Sequence, residues 1–240
     1  MKQDLEAMYN SMFKKVQKRY CEILDISVYF MDVTDLPVHD SYEWMAEDRR
    51  NKLRSYHKES DRRLLLGGEM TYLYGLCCEN ELEVNVENLE KMCRVVRKEE
   101  KYGKPYLPDF RNIFFNISHS GRYSVCAFSD APVGVDVECM NEVYLDVAER
   151  FYTAEEYQEL ILMSNEMQKK LFYEYWVMKE SYIKAQGSGM RIPLNSFSFD
   201  DKRDGCRKVI HKNHTVKYLT KVIEDFDERY RLAVCKKLNR

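Results

Sequence analysis

The sequence lacks the features that assign a chain to several common classes. Its eight cysteines are scattered and include no C-x-x-C pair, which is typical of reduced thiols in a cytosolic protein and not of a disulfide scaffold. No segment approaches the roughly 18 consecutive apolar residues of a membrane-spanning helix. Charged residues are spread through the opening segment, where a signal peptide would need an apolar core. We therefore expect a cytoplasmic protein without a membrane partner.

Three chemical signatures are missing as well. The chain has no G-x-S-x-G elbow of a hydrolase, and residues 187–189 carry two glycines without the rest of a dinucleotide-binding or P-loop signature. We interpret this segment as a helix stop. His211 and His214 have no cysteine or carboxylate companions, so we expect no zinc site.

The chain also lacks a strong charge of one sign. Its 38 Lys and Arg residues nearly balance 40 Asp and Glu residues, which gives a net charge of -2. Residues 49–63 are nevertheless rich in Lys and Arg, and such a local patch in a neutral protein predicts a compact anion as partner. A nucleic-acid interface is the alternative use of this segment. No RNA- or DNA-binding signature supports that alternative, so we expect no nucleic acid.

The apolar spacing predicts two units with the same order of elements. The first has a helix at 3–22, a strand at 26–33, helices at 41–54 and 60–76, and strand-like runs at 94–97, 113–116 and 123–129. The second has a strand at 133–138, helices at 141–151, 153–163 and 166–186, and strands near Phe197, Val209, Tyr218 and Leu232. The tripeptide Lys-Glu-Ser recurs at 58–60 and 179–181. These observations favour a duplicated α+β unit with a ligand cleft between its halves.

The length suits this arrangement. A chain of 240 residues with 45% hydrophobic content can bury a core as one large domain or two domains of about 100 residues each. We expect an N-terminal helical extension at residues 1–24, an N-terminal α+β half at 25–131, and a C-terminal α+β half at 132–240 that carries a metal site.

The segment from Pro132 to Glu138 combines an apolar strand with two carboxylates. Because side chains alternate along a strand, Asp136 and Glu138 share one face while Val135 and Val137 point into the core. Two such charges about 4 Å apart repel by up to roughly 4 kcal/mol at an effective dielectric constant near 20. They are stable only in water or around a cation. The pattern therefore indicates either a solvated strand face or a metal site.

A second candidate motif, which pairs a glutamate with lysines, lies on the long helix predicted at 166–186. Trp176, Glu180 and Lys184 are spaced by four and share a face, with Lys179 turned about 100° aside. An ordinary i,i+4 ion pair above a core tryptophan is the simple interpretation. In the functional interpretation, Glu180 completes a magnesium site with Asp136 and Glu138, and Lys184 and Lys179 neutralise a pyrophosphate.

The run from Phe115 to Gly121 ends a strand in a polar turn. Adjacent strand residues face opposite ways, so Ser118 and His119 do not suit a nucleophile and base pair. Hydrogen bonds to phosphate oxygens are the better functional use, and a structural turn is the alternative. Thr153 and Glu156 have the spacing of a capping box, for which we expect a structural role.

Together these motifs resemble the Sfp-type 4′-phosphopantetheinyl transferases, which activate carrier proteins of nonribosomal peptide, polyketide or fatty-acid synthesis. The resemblance extends from about Val28 to Val234. It rests on six segments in the order typical of the family: Tyr56-His57-Lys58-Glu59, residues 63–67, Tyr102-Gly103-Lys104-Pro105, residues 115–121, residues 134–138 and residues 176–184.

The resemblance implies two α+β halves related by a pseudo-two-fold axis, with coenzyme A in the cleft between them. It implies a monomeric enzyme that transfers the 4′-phosphopantetheine group to a serine of an apo carrier protein and releases 3′,5′-ADP. The ion would be Mg²⁺, or Mn²⁺ in its place. The matching positions have these implied roles: Asp136, Glu138 and Glu180 as metal ligands, Asp136, Glu180 and Lys184 as catalytic residues, Lys179 and Lys184 on the pyrophosphate, Ser118 and His119 at the 3′-phosphate end, and Arg63 and Lys104 on the nucleotide.

Two questions stay open at the level of sequence. Either Glu180 or a water molecule beside the ion could take the proton of the attacking serine. A coenzyme A-binding scaffold without catalytic activity is the other alternative, and the complete set of acidic positions argues against it.

Overall fold

The computed structural model of the chain describes residues 11–39, 42, 44–200, 205–211 and 214–238. Its strands are β1 Gln17–Cys21, β2 Ile26–Asp32, β3 Lys98–Glu99, β4 Pro105–Tyr106, β5 Phe114–Ser120, β6 Tyr123–Ser129, β7 Val133–Cys139, β8 Phe197–Phe199, β9 Arg207–His211, β10 His214–Val222 and β11 Tyr230–Lys237. Its helices are α1 Glu47–Ser55, α2 Glu59–Glu79, α3 Val86–Cys93, α4 Leu145–Phe151, α5 Ala154–Ile161 and α6 Asn165–Gln186. None of these helices is both long and apolar enough to cross a membrane.

The longer strands form two antiparallel sheets of related topology. One sheet has the order β1-β2-β6-β5 and the other has the order β7-β11-β10-β9-β8. In each, an early strand (β2 or β7) pairs with the last strand (β6 or β11), which in turn pairs with the strand before it (β5 or β10). The long helices α2 and α6 each pack against their own sheet. The predicted α+β fold with two similar units is therefore confirmed.

Strand β2 shows how the two units share a core. Tyr29 and Met31 belong to the apolar cluster that includes side chains of helix α2. Val28 and Phe30, on the opposite face of the strand, belong to a second cluster with residues of the other sheet such as Val135. Because both faces of β2 are buried, its run of β-branched and aromatic residues is continuous and not alternating.

Polar side chains of β5 connect the two sheets next to the candidate site. The backbone N–H groups of Val135, Val137 and Cys139 on β7 donate to side-chain oxygens of Asn116, Ser118 and Ser120 on β5, at 3.0, 3.4 and 3.1 Å. Both sets repeat every second residue, as the side chains of one strand face do. Strand β11 does not pair these three β7 amides, so the side chains of β5 supply their acceptors. Without them the buried N–H groups would be unpaired, which is costly. We call this set the side-chain ladder.

The helix predicted at residues 3–22 is wrong in its second part. Residues 11–13 are helical and residues 1–10 lie outside the described residues, but Gln17–Cys21 form β1, paired with β2. Most side chains of this edge strand are exposed, so backbone pairing holds it and no apolar alternation marks it in the sequence. The first sheet thus takes in part of the extension predicted at 1–24, and the boundary at residue 131 stays a prediction.

The strand predicted at 94–97 is wrong as well, because the described backbone there is a turn. The turn follows helix α3, which the sequence interpretation missed. This short helix begins after Asn85, whose side chain accepts a hydrogen bond from Asn88 N at 3.0 Å, and it buries Leu89 and Met92. The helix predicted at 41–54 begins only at Glu47, and residues 41 and 43 lie outside the described residues. The other predicted strands and helices correspond to elements of the structure, with ends that differ by a few residues.

Candidate active site

Strand β7 presents two carboxylates on the face that packs against helix α6. Asp136 and Glu138 occupy alternate positions after Gly134, as the strand period predicts. A Cβ atom added to Gly134 would lie 2.0 Å from the backbone oxygen of Ser181 and 2.4 Å from the backbone nitrogen of Ala185. Only glycine therefore permits the close approach of α6 that brings the helix to Asp136.

Asp136, Ser118 and Lys184 form a hydrogen-bonded cluster at this contact. Lys184 Nζ lies 2.6 Å from Asp136 Oδ1 and donates to Ser118 Oγ at 2.9 Å. Ser118 Oγ donates to Asp136 Oδ1 at 3.0 Å. The hydroxyl hydrogen of Ser118 is thus used within the cluster, and the phosphate contact expected for Ser118 stays a prediction. Asp136 Oδ2 is buried, and none of the described residues hydrogen-bonds to it.

Three carboxyl groups in this region have a raised pKa. Burial raises the pKa of Asp136, Glu138 and Glu180. The charge of Asp136 raises the pKa of both glutamates further, while Lys184 lowers the pKa of all three. Their ionised forms are therefore destabilised, and additional positive charge would relieve this destabilisation.

These carboxylates do not converge as ligands of one ion. Within residues 11–39, 42, 44–200, 205–211 and 214–238, no group of three His, Cys, Asp or Glu side chains is close enough together to hold a metal. Lys184 engages Asp136 Oδ1, and Ser120 donates to Glu138 Oε2 at 2.7 Å. The donors nevertheless suit Mg²⁺, which binds hard oxygens and often takes only one or two protein carboxylates. The buried, unpartnered Oδ2 of Asp136 is the atom that most needs such a partner.

Lys179 does not take part in the site, contrary to the sequence interpretation. Its side chain is completely buried on another face of α6, where Nζ lies 2.7 Å from Glu156 Oε2. Nζ also donates to the backbone oxygens of Leu194 and Phe197, each at 2.9 Å. Glu156 forms the predicted capping box with Thr153. Lys179 is therefore a structural cation that ties α6 to α5 and to the start of β8, and this arrangement does not support the pyrophosphate role expected for it.

The two residues predicted to contact the nucleotide have protein partners. Lys104 Nζ donates to the backbone oxygen of Ala185 at the end of α6 and to that of Val133 at 3.3 Å. Burial lowers the pKa of Lys104 to about 8. Arg63 donates to Glu59 Oε1 at 2.5 Å and to the backbone oxygen of Thr34. In this arrangement both side chains bind groups of the protein itself. The predicted helix stop is confirmed at Gly187, which ends α6 with φ 74°.

His119 links the carboxylate cluster to a cavity of about 330 Å³. It lines this cavity with Arg49 and Lys52 of α1 and with Arg97. His119 is solvent-accessible on the cavity side, yet enough protein surrounds it that desolvation lowers its pKa, and the charges of Lys184 and Lys52 lower it further. The lining carries four Lys and Arg side chains against three Asp and Glu side chains, so a weakly cationic cavity lies beside the carboxylates, and Arg49 and Lys52 of the basic segment belong to it. We call it the basic cavity.

Several residues of this region were missed from sequence. Asn116 and Ser120 belong to the side-chain ladder, and their period of two along a predicted strand was a usable signal. Glu69 and Arg97 pair with each other in the wall of the basic cavity although they are far apart in the chain. No sequence pattern predicts such a pair.

Comparison with known proteins agrees with these features. The sequence profile of the 4′-phosphopantetheinyl transferase superfamily matches residues 132–235, the part that contains β7 and α6. The chain is 38% identical over 190 residues to the 4′-phosphopantetheinyl transferase ffp of Bacillus subtilis, covering 79% of this chain and 80% of that protein. It is 34% identical over 194 residues to the transferase Sfp of Bacillus subtilis strain 168, covering 80% and 82%. The transferase gsp of Aneurinibacillus migulanus is 40% identical over 63% of this chain and 62% of its own length.

The first two relatives exceed 30% identity across most of both sequences, so the similarity is not limited to a motif. The resemblance noted from the residues is confirmed. The chain belongs to the 4′-phosphopantetheinyl transferase family.

Proposed function

We propose that the protein transfers the 4′-phosphopantetheine group of coenzyme A to a serine of an apo carrier protein and releases 3′,5′-ADP in a magnesium-dependent reaction. The observation that supports this most is the buried carboxylate of Asp136 next to a cavity lined by Arg49, Lys52 and Arg97. Asp136, with one unpartnered oxygen, lies at one end, and His119 joins it to the basic residues at the other. A ligand with a pyrophosphate and a phosphorylated nucleoside suits these two features: a cation on the carboxylate would bind the pyrophosphate, and the basic cavity would bind the phosphate of the nucleoside.

The proposed ion would be held by Asp136, Glu138 and Glu180, after their side chains turn toward one another from the present arrangement. Mg²⁺, or Mn²⁺ in its place, would supply positive charge to offset the charge that builds up on the 5′-phosphate of the leaving 3′,5′-ADP. The raised pKa values of all three carboxyl groups support a cation at this place.

The remaining groups act by position and charge. Lys184 carries its ammonium group within 2.6 Å of Asp136, so it can neutralise a phosphate oxygen that enters the cluster. Glu180 is a carboxylate with a raised pKa, which suits acceptance of the proton from the carrier serine. His119 would donate a hydrogen bond to a phosphate oxygen in the basic cavity. Ser118 would orient Asp136 and Lys184 and would not touch the substrate.

The test is mass spectrometry of a panel of apo carrier domains incubated with the protein, coenzyme A and Mg²⁺. We expect at least one domain to gain the mass of a single phosphopantetheine arm, at its serine and only when coenzyme A is present. An Asp136→Asn variant prepared in parallel should add none in the same time. Tight binding of coenzyme A without modification of any domain would instead favour an inactive coenzyme A-binding scaffold.

A further inference from the structure

Three charged residues from separate parts of the chain meet in the wall of the basic cavity. Glu69 of α2 is only 2% exposed. Its Oε1 accepts hydrogen bonds from Arg97 Nη1 at 3.1 Å and from Arg49 Nε at 2.7 Å, and its Oε2 accepts from Arg97 Nη2 at 2.6 Å. Arg49 Nη2 also lies 2.7 Å from Oε1. The proposed reaction has no step that uses Glu69.

A buried carboxylate in this part of α2 is unexpected on packing grounds. The neighbouring buried positions of the helix, such as Leu66, Met70 and Leu73, are apolar. Burying an ionised group costs several kcal/mol unless cations compensate it. Here two guanidinium groups compensate the carboxylate of Glu69, and Asp48, which also lines the cavity, adds a second negative charge near Arg97.

The two arginines are held to different degrees. Arg97 binds both oxygens of Glu69 and stacks on the ring of Tyr72, with its guanidinium carbon 4.5 Å from the ring centre. Arg49 engages Glu69 through Nε and Nη2, and these bonds leave the edge of the guanidinium that carries Nη1 outside the pair. Arg49 is on α1, one turn before Lys52, and both side chains line the cavity.

We propose that Glu69 is a positioning residue for substrate binding: it fixes Arg49 on the cavity wall, so that Arg49 and Lys52 together bind the phosphate-bearing nucleotide end of coenzyme A. An unpaired arginine on a surface helix samples many rotamers, and a carboxylate that accepts two N–H groups removes most of that freedom before the ligand arrives. This inference rests on the proposed function.

A purely electrostatic role for Glu69 predicts the opposite result. If Glu69 acted only through its charge, replacing it by glutamine would make the cavity more positive and would strengthen anion binding. If Glu69 acts through the orientation of Arg49, the same change weakens binding, since a neutral amide holds a guanidinium less firmly than a carboxylate does. The sign of the effect therefore distinguishes the two roles.

The experiment measures binding of 3′,5′-ADP and of coenzyme A by calorimetry, and transfer kinetics where a carrier domain is modified. For Glu69→Gln we expect the dissociation constant of both ligands and the KM for coenzyme A to rise about tenfold, with kcat changed less than about twofold. Glu79→Gln is the matched control. Glu79 is on the same helix, accepts a hydrogen bond from Tyr29 at 2.9 Å and does not line the basic cavity. We expect it to leave nucleotide binding unchanged.

A double-mutant cycle tests whether Glu69 acts through Arg49. Arg49→Lys keeps the positive charge and loses the fork that binds Glu69, so alone it should weaken 3′,5′-ADP binding by a similar factor. In the Arg49→Lys background, Glu69→Gln should have little further effect. If Glu69→Gln does not fold, unchanged 3′,5′-ADP binding by Arg49→Lys still overturns the inference, and this variant should fold because Arg49 is partly exposed on α1.

Unchanged or tighter nucleotide binding by Glu69→Gln would overturn the inference, as would unchanged binding by Arg49→Lys. Additive effects in the cycle would overturn it too. A wild-type protein that binds neither ligand would contradict the proposed function itself. Wild-type binding without any effect of the variants would refute the role of Glu69 alone.

Discussion

Replacement of Lys179 by methionine should destabilise the fold and leave coenzyme A binding intact. Methionine fills a similar volume but carries no charge and donates no hydrogen bond. The change leaves the carboxylate of Glu156 buried without its cation, and it leaves the backbone oxygens of Leu194 and Phe197 without the donor that each has at 2.9 Å. All three losses lie on the side of α6 away from Asp136.

The magnitude follows from the burial of the pair. Lys179 is 0% exposed and Glu156 is 5% exposed, so solvent does not replace the lost partner. Removing one member of a buried ion pair costs about 3–5 kcal/mol. A protein of this size is stable by about 5–15 kcal/mol, so the loss is a large fraction of the total. With about 2–4 °C lost per kcal/mol, Tm should fall by roughly 6–20 °C.

The assay is urea unfolding and thermal melting of the wild type, Lys179→Met and the double variant Lys179→Met/Glu156→Gln. The double variant removes the uncompensated charge and should recover part of the lost free energy of unfolding. Below the melting range, the dissociation constant of coenzyme A should match that of the wild type. Normal stability together with weakened coenzyme A binding would refute this reasoning and restore Lys179 to the phosphate site.

Three further changes have definite expected outcomes. Ser120→Ala removes the hydrogen bond to Glu138, so Mn²⁺ affinity measured by electron paramagnetic resonance should fall about tenfold, and an unchanged titration would contradict the role of the ladder. For Lys104, whose pKa is about 8 in the fold against 10.5 ordinarily, the unfolded chain binds more protons between these values, so stability rises with pH across that window. Between pH 7.5 and 10.5, the free energy of unfolding in urea should rise by roughly 1–3 kcal/mol more for the wild type than for Lys104→Met. Parallel pH curves for the two proteins would contradict a lowered pKa of Lys104. Gly134→Ala should cost about 1–3 kcal/mol because the added methyl group meets the backbone of α6, and a wild-type Tm would show that the helix can move away.

The elements with buried apolar faces were predictable from sequence, and those held by backbone or by distant partners were not. Strand β7 follows its alternation of Val and acidic residues, and α6 follows its 3.6-residue period. Strand β1 was mistaken for a helix since Met12, Val16 and Tyr20 have helical spacing. Its residues from Gln17 to Tyr20 are exposed, and only pairing with β2 holds them in a strand.

The site shows the same division. Asp136, Ser118 and Lys184 were identified from their own segments, and the structure brings them together because Gly134 admits α6. Lys179 was assigned to a pyrophosphate although it was expected to lie about 100° away from Glu180 around the helix, and that rotation carries it into the core. Glu69 has its two partners 20 and 28 residues away, and only the packing of three segments reveals them.

The most direct test of the account is the rate of phosphopantetheine transfer by Asp136→Ala and Glu180→Gln at saturating coenzyme A and Mg²⁺, on a carrier domain that the wild type modifies. If these carboxylates form the reaction centre, each variant should lose at least about 100-fold in kcat while it retains the wild-type circular dichroism spectrum. A rate within a few fold of the wild type for either variant would contradict the assignment of the active site to the contact between β7 and α6.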